Sequence, residues 1–455
     1  MSPDQTRSDK SIAIVGAGLV GSVMACYLAK RGYQVNLFER RADPRIEHPD
    51  GGRSINLALS NRGWKPLAEL GLEDAVKDLI IPMRGRMMHD EEGNLTFQQY
   101  GRDGEAINSI SRSGLNKLLL NHAGESGIHL HFNQTVTDVD FDKGRIYFND
   151  REPFNADIIL GADGAYSMLR YQMQRTGRFN YSQYFIEYGY KELTIPSGAN
   201  NKHLLETNAL HIWPRGRFML IALPNMDGSF TCTLFLPYTG ENSFSQLNSN
   251  SAITDFFAHN FADALALMPE LLEDFKDNPT SSLVTIRCFP WSHGKVLLIG
   301  DASHGIVPFY GQGMNSGFED CRVLNSLLDQ HNDQWEKVIP SFQHIRKPDA
   351  EAIADLALDN FMEMRDLVAD EDFLLRKKIE ARLYELYPEK WIPLYSMVTF
   401  REDIRYSDAR QMGIIQKKVM DEVMAQENIE STWEKDDLSW IIALLDKAKD
   451  PVKPK

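Results

Sequence analysis

The sequence predicts a mixed α/β fold with a parallel-sheet region, a second β-sheet region and a helical C-terminal region. Three observations support this prediction. A short apolar strand, a glycine turn, a helix and a second strand follow one another from Ser11 to Glu39. The segments FMLIALP and SFTCTLFLP are typical of neighbouring strands in a separate sheet. From about Cys321 onward the apolar spacing is mostly helical.

Composition narrows the class of protein. The chain has 455 residues, of which 43% are hydrophobic and 25% charged, as in an ordinary globular protein of about two or three domains. A net charge of -15 disfavours nucleic acid and anionic membranes as partners, because each phosphate contact needs a Lys or Arg. The N-terminal MSPDQTRSDK lacks the apolar run of a signal peptide, and no run of ~18 apolar residues predicts a membrane span.

Cysteine and histidine usage predicts a cytoplasmic protein without a metal. The four cysteines are scattered and form no CxxC pair, which favours a reducing compartment. Among the twelve histidines only His129 and His131 form a close pair, and HExxH does not occur. We expect these two histidines to be structural residues on one strand face.

The motif GAGLVG places Gly16, Gly18 and Gly21 directly after the first predicted strand, and Glu39 ends the next one. In this context GxGxxG is a Rossmann-like dinucleotide-binding fingerprint, although a glycine turn without ligand is the alternative. Gly16 permits a tight turn, Gly18 lets the backbone approach a pyrophosphate, and Gly21 lets the helix pack on the strand. Glu39 can accept hydrogen bonds from ribose and would repel a 2′-phosphate, so FAD or NAD suits the site better than NADP.

Two later segments resemble further parts of a cofactor site. GADGAYSMLR places Asp163 after a strand, with Ser167 and Arg170 three apart on the next helical turn; a turn with a helix cap is the alternative interpretation. In VLLIGDASHGIVPFYGQGMNSGFED a buried strand ends at Asp301, and residues 311–315 begin another helix. These motifs are far apart in sequence, so the cofactor domain must be discontinuous. We predict an FAD-binding domain from 1–72, 102–175 and 281–330, a substrate-binding sheet domain from 73–101 and 176–280, and a helical domain from 331–455.

Together, the three motifs resemble those of the FAD-dependent aromatic hydroxylases, the family typified by para-hydroxybenzoate hydroxylase. The resemblance implies that Asp301 binds the ribityl chain and that the helix start near Gly313, Met314 and Asn315 faces the isoalloxazine, where its dipole favours the anionic reduced flavin. A second GxGxxG does not occur, so NADPH is expected to visit transiently and to meet the GADG segment. The resemblance assigns to the cofactor Gly16, Gly18, Leu19, Gly21, Glu39, Arg41, Ala58, Arg112, Asp163, Asp301, Gly313, Met314 and Asn315.

Further segments resemble the branch of this family that hydroxylates L-kynurenine, a step of tryptophan degradation towards NAD synthesis. They are GRSINLALS (52–60), RGRMMH (84–89), YGYKEL (188–193), NALHIWPRG (208–216), PFYGQGMNSG (308–317) and YSMVTF (395–400). The charged C-terminus, IIALLDKAKDPVKPK, resembles the soluble bacterial form of that branch. Two positions depart from the family pattern: Tyr310, where several members have His, and Ser303, where Ala is common.

A zwitterionic aromatic substrate needs a carboxylate partner, polar groups for its amine and an apolar slot for its ring. Arg84 and Arg86 would share a face if both lie on a strand, and the resemblance places the carboxylate on Arg86 with Tyr100 as its hydrogen-bonding partner. Asn360 and Tyr395 match further polar positions. The apolar positions, which are otherwise typical of a protein core, are Leu210, Met219, Ile221, Leu223, Phe235, Pro308, Phe309 and Met364.

The resemblance also implies the mechanism. NADPH reduces FAD, O2 adds to it, and a flavin C4a-hydroperoxide oxygenates the ring carbon next to the amino group, so no catalytic side chain is expected. The protein would orient the ring and exclude water. The alternatives are a hydroxylase of another aromatic acid, a flavin halogenase, whose tryptophan pair around Ile-Pro is represented only by Trp391-Ile-Pro393, and an FAD-binding sensor without turnover.

Overall fold

The structure is a computed structural model that describes residues 10–46, 56–102, 104–366 and 371–449; the side chains of 364–366 and 371 are outside the description. Its strands are β1 (Ser11–Val15), β2 (Gln34–Phe38), β3 (Asn56–Leu59), β4 (Ile80–Met83), β5 (Gly85–His89), β6 (Leu95–Gln99), β7 (Ile107–Ser111), β8 (His129–His131), β9 (Val136–Asp140), β10 (Arg145–Phe148), β11 (Phe154–Asn155), β12 (Ile158–Gly161), β13 (Asn180–Ile195), β14 (Ala209–Arg215), β15 (Phe218–Pro224), β16 (Phe230–Pro237), β17 (Ser281–Phe289), β18 (Ser292–His293) and β19 (Val296–Leu298).

Helices cover one side of each large sheet and fill the C-terminal third of the chain. They are α1 (Leu19–Lys30), α2 (Asn61–Glu69), α3 (Glu73–Lys77), α4 (Arg112–Glu125), α5 (Met168–Met173), α6 (Asn250–Asn260), α7 (Ala262–Leu265), α8 (Leu271–Asp277), α9 (Asp301–His304), α10 (Gly313–Gln330), α11 (Trp335–Asp366), α12 (Glu371–Leu386), α13 (Leu394–Thr399), α14 (Tyr406–Met424), α15 (Ile429–Thr432) and α16 (Ser439–Lys449). The helical character predicted beyond Cys321 is confirmed.

A six-stranded sheet with the order β18-β19-β12-β1-β2-β8 carries the predicted strand-turn-helix-strand unit. Strands β19, β12, β1, β2 and β8 run parallel, and β1 is an almost fully buried apolar run, as expected for the centre of such a sheet. Since parallel strands end at the same edge, the turns after β1, β12 and β19 are neighbours there. This topology brings the GxGxxG, GADG and Gly300-Asp301 motifs together, although they are up to 285 positions apart in sequence.

A seven-stranded sheet with the order β17-β13-β16-β15-β14-β5-β6 forms a second layer. The pairing is antiparallel except between β14 and β5, and β15 and β16 are neighbours, which confirms the predicted pairing of FMLIALP with SFTCTLFLP. Helices α6 to α8 pack on one face through an apolar cluster that includes Trp213 and Phe257. The opposite face contributes side chains to the cavity described below.

Two strands pair with strands that we assigned to a different domain. Residues 281–289, which we assigned to the cofactor domain, form β17 and pair with β13 of the seven-stranded sheet. Residues 80–83, assigned to the substrate domain, form β4 and pair with β7 in a small sheet with β3. Strand pairing depends on distant partners that local composition does not reveal, and the three-part division of the chain stays a prediction.

A buried network of charges ties the C-terminal helices to the sheet edge. Arg346 on α11 donates to Glu319 and Asp320 on α10, with each N···O distance 2.7 Å, and Arg62 on α2 donates to Glu319 at 2.7 Å. Asp320 Oδ2 also accepts the Gly300 N–H at 2.9 Å and contacts His304 Nε2 at 2.6 Å. Burial alone would raise the pKa of Asp320, but His304 and Arg346 hold it at about 2, so the carboxylate fixes the turn before Asp301.

Candidate functional site

A cavity of about 650 Å³ extends from the carboxyl edge of the six-stranded sheet to the seven-stranded sheet. Most residues that the resemblance assigned to cofactor and substrate line it. On the cofactor side these are Gly16, Gly18, Leu19, Glu39, Arg41, Ala58, Arg112, Asp163, Asp301, Gly313 and Met314. On the substrate side they are Arg86, Tyr100, Leu210, Met219, Ile221, Leu223, Phe235, Pro308, Phe309 and Tyr395. The ligand contacts of these residues stay predictions.

The three glycines of GxGxxG have three different environments. Gly16 has a φ of +104°, and a Cβ there would lie 2.4 Å from the Ala162 carbonyl oxygen. A Cβ at Gly21 would lie 1.9 Å from the Gly16 oxygen, so helix α1 can approach its own turn only without a side chain. Beyond its chain neighbours, Gly18 has no atom of the described residues within 4 Å of a Cβ, and it lines the cavity. A dinucleotide pyrophosphate fits this space at the start of α1, where backbone N–H groups are free to donate.

Glu39 lies beside the glycine turn with its carboxylate oriented by neighbours. Its two oxygens accept the Ala17 N–H and the Arg41 N–H, each at 3.0 Å, and the Arg41 Nε at 2.8 Å. Burial alone would raise the pKa of Glu39, but its bonds with Arg41 outweigh burial and lower it. The ionised carboxylate is therefore available as an acceptor for ribose hydroxyls at the cavity wall.

The GADG segment combines a helix cap with a cavity wall. Asp163 Oδ2 accepts the Met168 and Leu169 N–H groups at 2.7 and 3.2 Å, while Oδ1 has no partner within the described residues. Ser167 caps α5 by accepting the Arg170 N–H at 2.9 Å. Arg170 Nη1 donates to the Ala302 carbonyl at 2.9 Å, so this helix braces the loop that carries Asp301. The cap that we considered as an alternative is present at Ser167, together with the cavity contact of Asp163.

Ser167→Ala is expected to lower the free energy of unfolding by about 1 kcal/mol, because α5 loses its N-terminal cap. Flavin content should stay at the wild-type level, since Ser167 does not line the cavity. Urea unfolding with a parallel visible spectrum of the purified protein measures both quantities. A variant of wild-type stability, or one that has lost its flavin, would contradict this structural role.

The start of α10 forms the floor between the two halves of the cavity. Asn315 donates to the Ala58 and Gly311 carbonyls at 2.8 and 2.7 Å and accepts the Ser60 N–H at 3.0 Å. Its side chain is buried and does not line the cavity, so it holds the loop in place. Gly313 and Met314 are the residues of this helix start that reach the cavity wall.

Arg86, Tyr100 and Tyr395 form a polar group at the far end of the cavity. The Arg86 guanidinium carbon lies 4.7 Å from the Tyr395 ring centroid and 5.5 Å from that of Tyr100. Arg86 Nε and the Tyr100 hydroxyl have no hydrogen-bond partner in the part of the chain that the structure describes. Burial alone would lower the pKa of Arg86, but the two tyrosines raise it above its usual range, and the charged guanidinium is positioned to accept an anion.

Apolar side chains from three adjacent strands line the space between Arg86 and α10. Leu210, Met219 and Phe235 occupy neighbouring strands, and Met219 and Phe235 are direct cross-strand partners. The Phe235 ring lies 5.0 Å from that of Phe309, centroid to centroid. Such a slot between a sheet face and a loop suits a flat aromatic ring.

Three predicted site residues do not line the cavity. Gly21 and Asn315 lie behind the wall, and Asn360 donates to the Phe309 carbonyl at 2.7 Å, so it supports the loop of the aromatic slot. The side chain of Met364 is outside the described residues, as are positions 52–55 of GRSINLALS. Arg84 is exposed and precedes β5, whereas Arg86 lies within β5 and lines the cavity.

Tyr310 is a cavity residue that we did not assign to the site. Its ring stacks on Tyr395 at 5.5 Å with 21° between the planes, and Tyr395 stacks on Tyr100 at 5.6 Å and 15°. Burial raises the pKa of Tyr310 well above its usual range, so its hydroxyl stays protonated. In the sequence, the departure from the family pattern at position 310 was the signal that could have pointed to Tyr310 as a site residue. At the other departure, the Ser303 hydroxyl donates to the Gly300 carbonyl at 2.9 Å.

The described ranges contain neither a cluster of potential metal ligands nor a helix that could span a membrane. Within 10–46, 56–102, 104–366 and 371–449, no group of three potential His, Cys, Asp or Glu ligands comes together around a metal position. In the same ranges, no helix combines the length and the hydropathy needed to cross a bilayer.

Comparisons with known proteins identify the family. The FAD binding domain family matches residues 9–357. A kynurenine 3-monooxygenase of Flavobacterium johnsoniae is 50% identical over 433 residues, covering 94% of this chain and 96% of the relative. A kynurenine 3-monooxygenase of Christiangramia forsetii is 49% identical over 448 residues, covering 97% of this chain and all of the relative.

A solved structure supports the fold independently. The tetrameric form of 2-methyl-3-hydroxypyridine-5-carboxylic acid oxygenase superposes with a TM-score of 0.66, covering 82% of this chain and 96% of that one, at 20% sequence identity. With a matching fold, an FAD binding domain and near-full-length identity of about half to relatives of one name, the chain belongs to the kynurenine 3-monooxygenase family of FAD-binding proteins.

Proposed function

We propose that the chain is an FAD-dependent monooxygenase that uses NADPH and O2 to convert L-kynurenine to 3-hydroxykynurenine. One observation carries the proposal: a charged, enclosed arginine without a carboxylate partner in the described residues shares a cavity with a dinucleotide cradle. A partly buried cation without a counter-ion is less stable than a paired one, and a ligand carboxylate would supply the counter-ion. The family relationship points to kynurenine as the carboxylate's source.

The substrate's three chemical parts match three parts of the cavity. Its carboxylate would bind Arg86, with the hydroxyls of Tyr100 and Tyr395 as further donors. Its aminophenyl ring would lie in the slot formed by Phe235, Phe309 and the aliphatic side chains of β14 and β15. Because Phe309 belongs to the loop that precedes α10, the ring, and not the carboxylate, would lie towards the start of that helix.

FAD would be held by the glycine turn, Glu39, Asp163, Asp301 and the α10 start. When it is bound and reduced by NADPH, FAD supplies the activated oxygen for the ring. Burial raises the pKa of Asp301, whose side chain is accessible from the cavity, and a ribityl hydroxyl would give its carboxylate a hydrogen-bond donor. The α10 N-terminus would stabilise negative charge on the reduced cofactor.

The side chains of this chain orient and enclose the reactants. Stacked rings at Tyr100, Tyr395 and Tyr310 give one wall a fixed shape, and the apolar slot excludes water that would divert the activated oxygen to peroxide. The anilino nitrogen already activates the ring carbon next to it, so a side-chain base is not required. The hydroxyls of Tyr100 and Tyr310 keep their protons, because burial raises the pKa of both.

Mass spectrometry of the product formed from L-kynurenine, NADPH and air tests the proposal. We expect a product heavier by one oxygen, with the label appearing when the reaction runs under ¹⁸O2. A panel of other aromatic acids tests the alternative of a different substrate; preferential product formation from one of them would overturn kynurenine. Bound FAD without any hydroxylated product would favour a ligand sensor, and peroxide release alone would not support the proposal.

The compartment is part of the proposal. The four cysteines are free and buried, which suits a reducing environment such as the cytoplasm. Burial raises the pKa of Cys26 and Cys288 to about 12, so neither thiol is reactive at neutral pH.

A further inference from the structure

A chain of hydrogen bonds crosses the face of the seven-stranded sheet opposite the cavity. Asp263 Oδ2 on α7 lies 2.8 Å from His89 Nδ1, and His89 Nε2 lies 2.9 Å from His211 Nδ1. His211 Nε2 lies 2.9 Å from the Glu206 carbonyl oxygen. Both imidazoles are almost fully buried, with 2% and 1% of their surface exposed, and the Trp213 indole donates to the same Asp263 oxygen at 2.8 Å.

This chain of hydrogen bonds needs one more proton than two neutral imidazoles carry. The Glu206 carbonyl can only accept, so His211 Nε2 must donate, and its Nδ1 is then an acceptor in the neutral ring. An ionised Asp263 can only accept, so His89 Nδ1 donates to it. The remaining contact, between His89 Nε2 and His211 Nδ1, needs a third proton. Two neutral imidazoles supply only two, so one ring is an imidazolium.

The environment indicates where the extra proton lies. Burial lowers the pKa of His211 to about 4, so this ring is neutral. Burial alone would raise the pKa of Asp263, but its bonds with His89 and Trp213 lower it, so the carboxylate is ionised. His89 is therefore the imidazolium, paired with Asp263 on one side and bonded to neutral His211 on the other.

This chain of hydrogen bonds anchors β5, the strand that carries Arg86. On β5, Arg86 reaches the cavity, and His89, three residues later, lies on the opposite face. Strand β5 lies between β14 and β6, and β6 is an edge strand whose five residues are all exposed. The hydrogen bonds thus attach β5 firmly on its β14 side, where His89 bonds to His211. His211 lies between Leu210 and Ile212, which line the cavity.

We propose that Asp263, His89 and His211 form a proton-holding clamp that positions strand β5, and with it Arg86, for binding the substrate carboxylate. The inference rests on the proposed function, in which Arg86 holds that carboxylate. These three residues are positioning residues, since they lie on the face away from the ligand. Without the extra proton, one contact would bring two acceptors together, either the ring nitrogens at 2.9 Å or His89 Nδ1 and Asp263 Oδ2 at 2.8 Å, and that contact would be repulsive.

The sign of the pH dependence follows. The clamp needs a neutral His211, so it is intact above the pKa of that ring, about 4, and it loosens as the pH rises further and the third proton is lost; carboxylate affinity therefore falls towards alkaline pH. Other charged groups near the clamp are Arg215, which donates to the His89 and Asp90 carbonyls at 2.9 Å, and the carboxylates of Asp90, Glu91 and Glu206. Burial lowers the pKa of Arg215, and the neighbouring carboxylates oppose this effect.

Imidazole ¹⁵N spectra of the FAD-loaded enzyme count the protons directly. At neutral pH we expect His89 to show two protonated nitrogens and His211 to show one protonated and one lone-pair nitrogen. A spectrum in which both rings are neutral would overturn the clamp. This measurement needs no variant at the clamp and no turnover, and conservative His→Gln replacements elsewhere can assign the signals.

Asp263→Asn tests whether the clamp governs Arg86. Losing the neighbouring charge should lower the pH at which the hydrogen-bonded chain gives up its third proton. Above that pH, affinity for a des-amino analogue of kynurenine should fall about tenfold, the loss of one charge-assisted bond. The analogue removes the titration of the substrate's own amine. Asp255→Asn, on neighbouring α6, removes the same charge from an exposed site and should behave as wild type.

The outcomes separate this inference from the proposed function. A shifted ¹⁵N midpoint with an unshifted affinity profile would overturn the link to Arg86. A wild-type enzyme that binds the analogue equally well at every pH would do the same. Lack of analogue binding at any pH, with His89 still an imidazolium, would instead contradict the proposed substrate site. Flavin content should be unchanged in both variants, because none of the clamp residues lines the cavity.

Discussion

Purified Gly18→Val is expected to be folded but colourless. The added side chain would not meet the protein at its Cβ, which has no atom of the described residues within 4 Å beyond its chain neighbours, and the φ of -73° suits valine. It would instead occupy the cavity at the start of α1, where the pyrophosphate must contact the backbone. The ratio of visible flavin absorbance to protein absorbance, before and after incubation with added FAD, measures the loss.

Gly177→Val is the matched control. Gly177 also has no atom within 4 Å of a Cβ, but it is exposed and does not line the cavity, so this variant should keep its flavin. Gly21→Ala gives the contrasting case, because its Cβ would lie 1.9 Å from the Gly16 oxygen and should destabilise the fold itself. A yellow Gly18→Val protein with normal FAD content would show that the cofactor does not approach this glycine.

The cofactor side of the cavity could be predicted from sequence because each of its parts is a local pattern. GxGxxG, GADG and the Gly300-Asp301 turn each follow a short apolar strand, and such turns collect at one sheet edge whenever the strands are parallel and adjacent. The strand-turn-helix-strand prediction for residues 11–39 is confirmed at the level of each element. The order of the strands themselves was not predictable from these patterns.

Contacts between distant residues left no local signal. Arg62 meets Glu319 across 257 positions, and Arg346 reaches Asp320 on a different helix, although in sequence both arginines look like ordinary surface charges. The two histidines we singled out for their spacing, His129 and His131, are only part of a sheet edge. The histidines that do form a hydrogen-bonded pair, His89 and His211, are 122 positions apart.

The substrate side depended on resemblance for a physical reason. An alternating apolar strand such as β15 has the same sequence pattern whether its face packs against a protein core or against a ligand. The residues that pack opposite the strand decide which of the two it contacts. Here the loop of Phe309 and the ring of Tyr395 leave space above the sheet. Asn360, predicted from its family position to be polar and close to the substrate, lies one layer further out and bonds to the Phe309 carbonyl.

Arg86→Ala is expected to weaken L-kynurenine binding by about 1.5 to 3 kcal/mol, or roughly 10- to 150-fold, while FAD stays bound. The substituted side chain can no longer pair with the carboxylate, and the hydroxyls of Tyr100 and Tyr395 cannot replace its charge. FAD should be retained because Arg86 belongs to β5 of the seven-stranded sheet, whereas the glycine turn follows β1 of the six-stranded sheet. Calorimetry or a spectral titration of the flavin measures the affinity.

Arg84→Ala controls for the loss of one positive charge in the same segment. Arg84 is exposed and does not line the cavity, so affinity should change little. Arg86→Lys separates charge from geometry: a lysine keeps the charge but cannot form the paired bonds of a guanidinium, so an intermediate affinity is expected. If Arg86→Ala binds kynurenine as tightly as wild type, the carboxylate lies elsewhere, and the cavity must hold the substrate in another orientation.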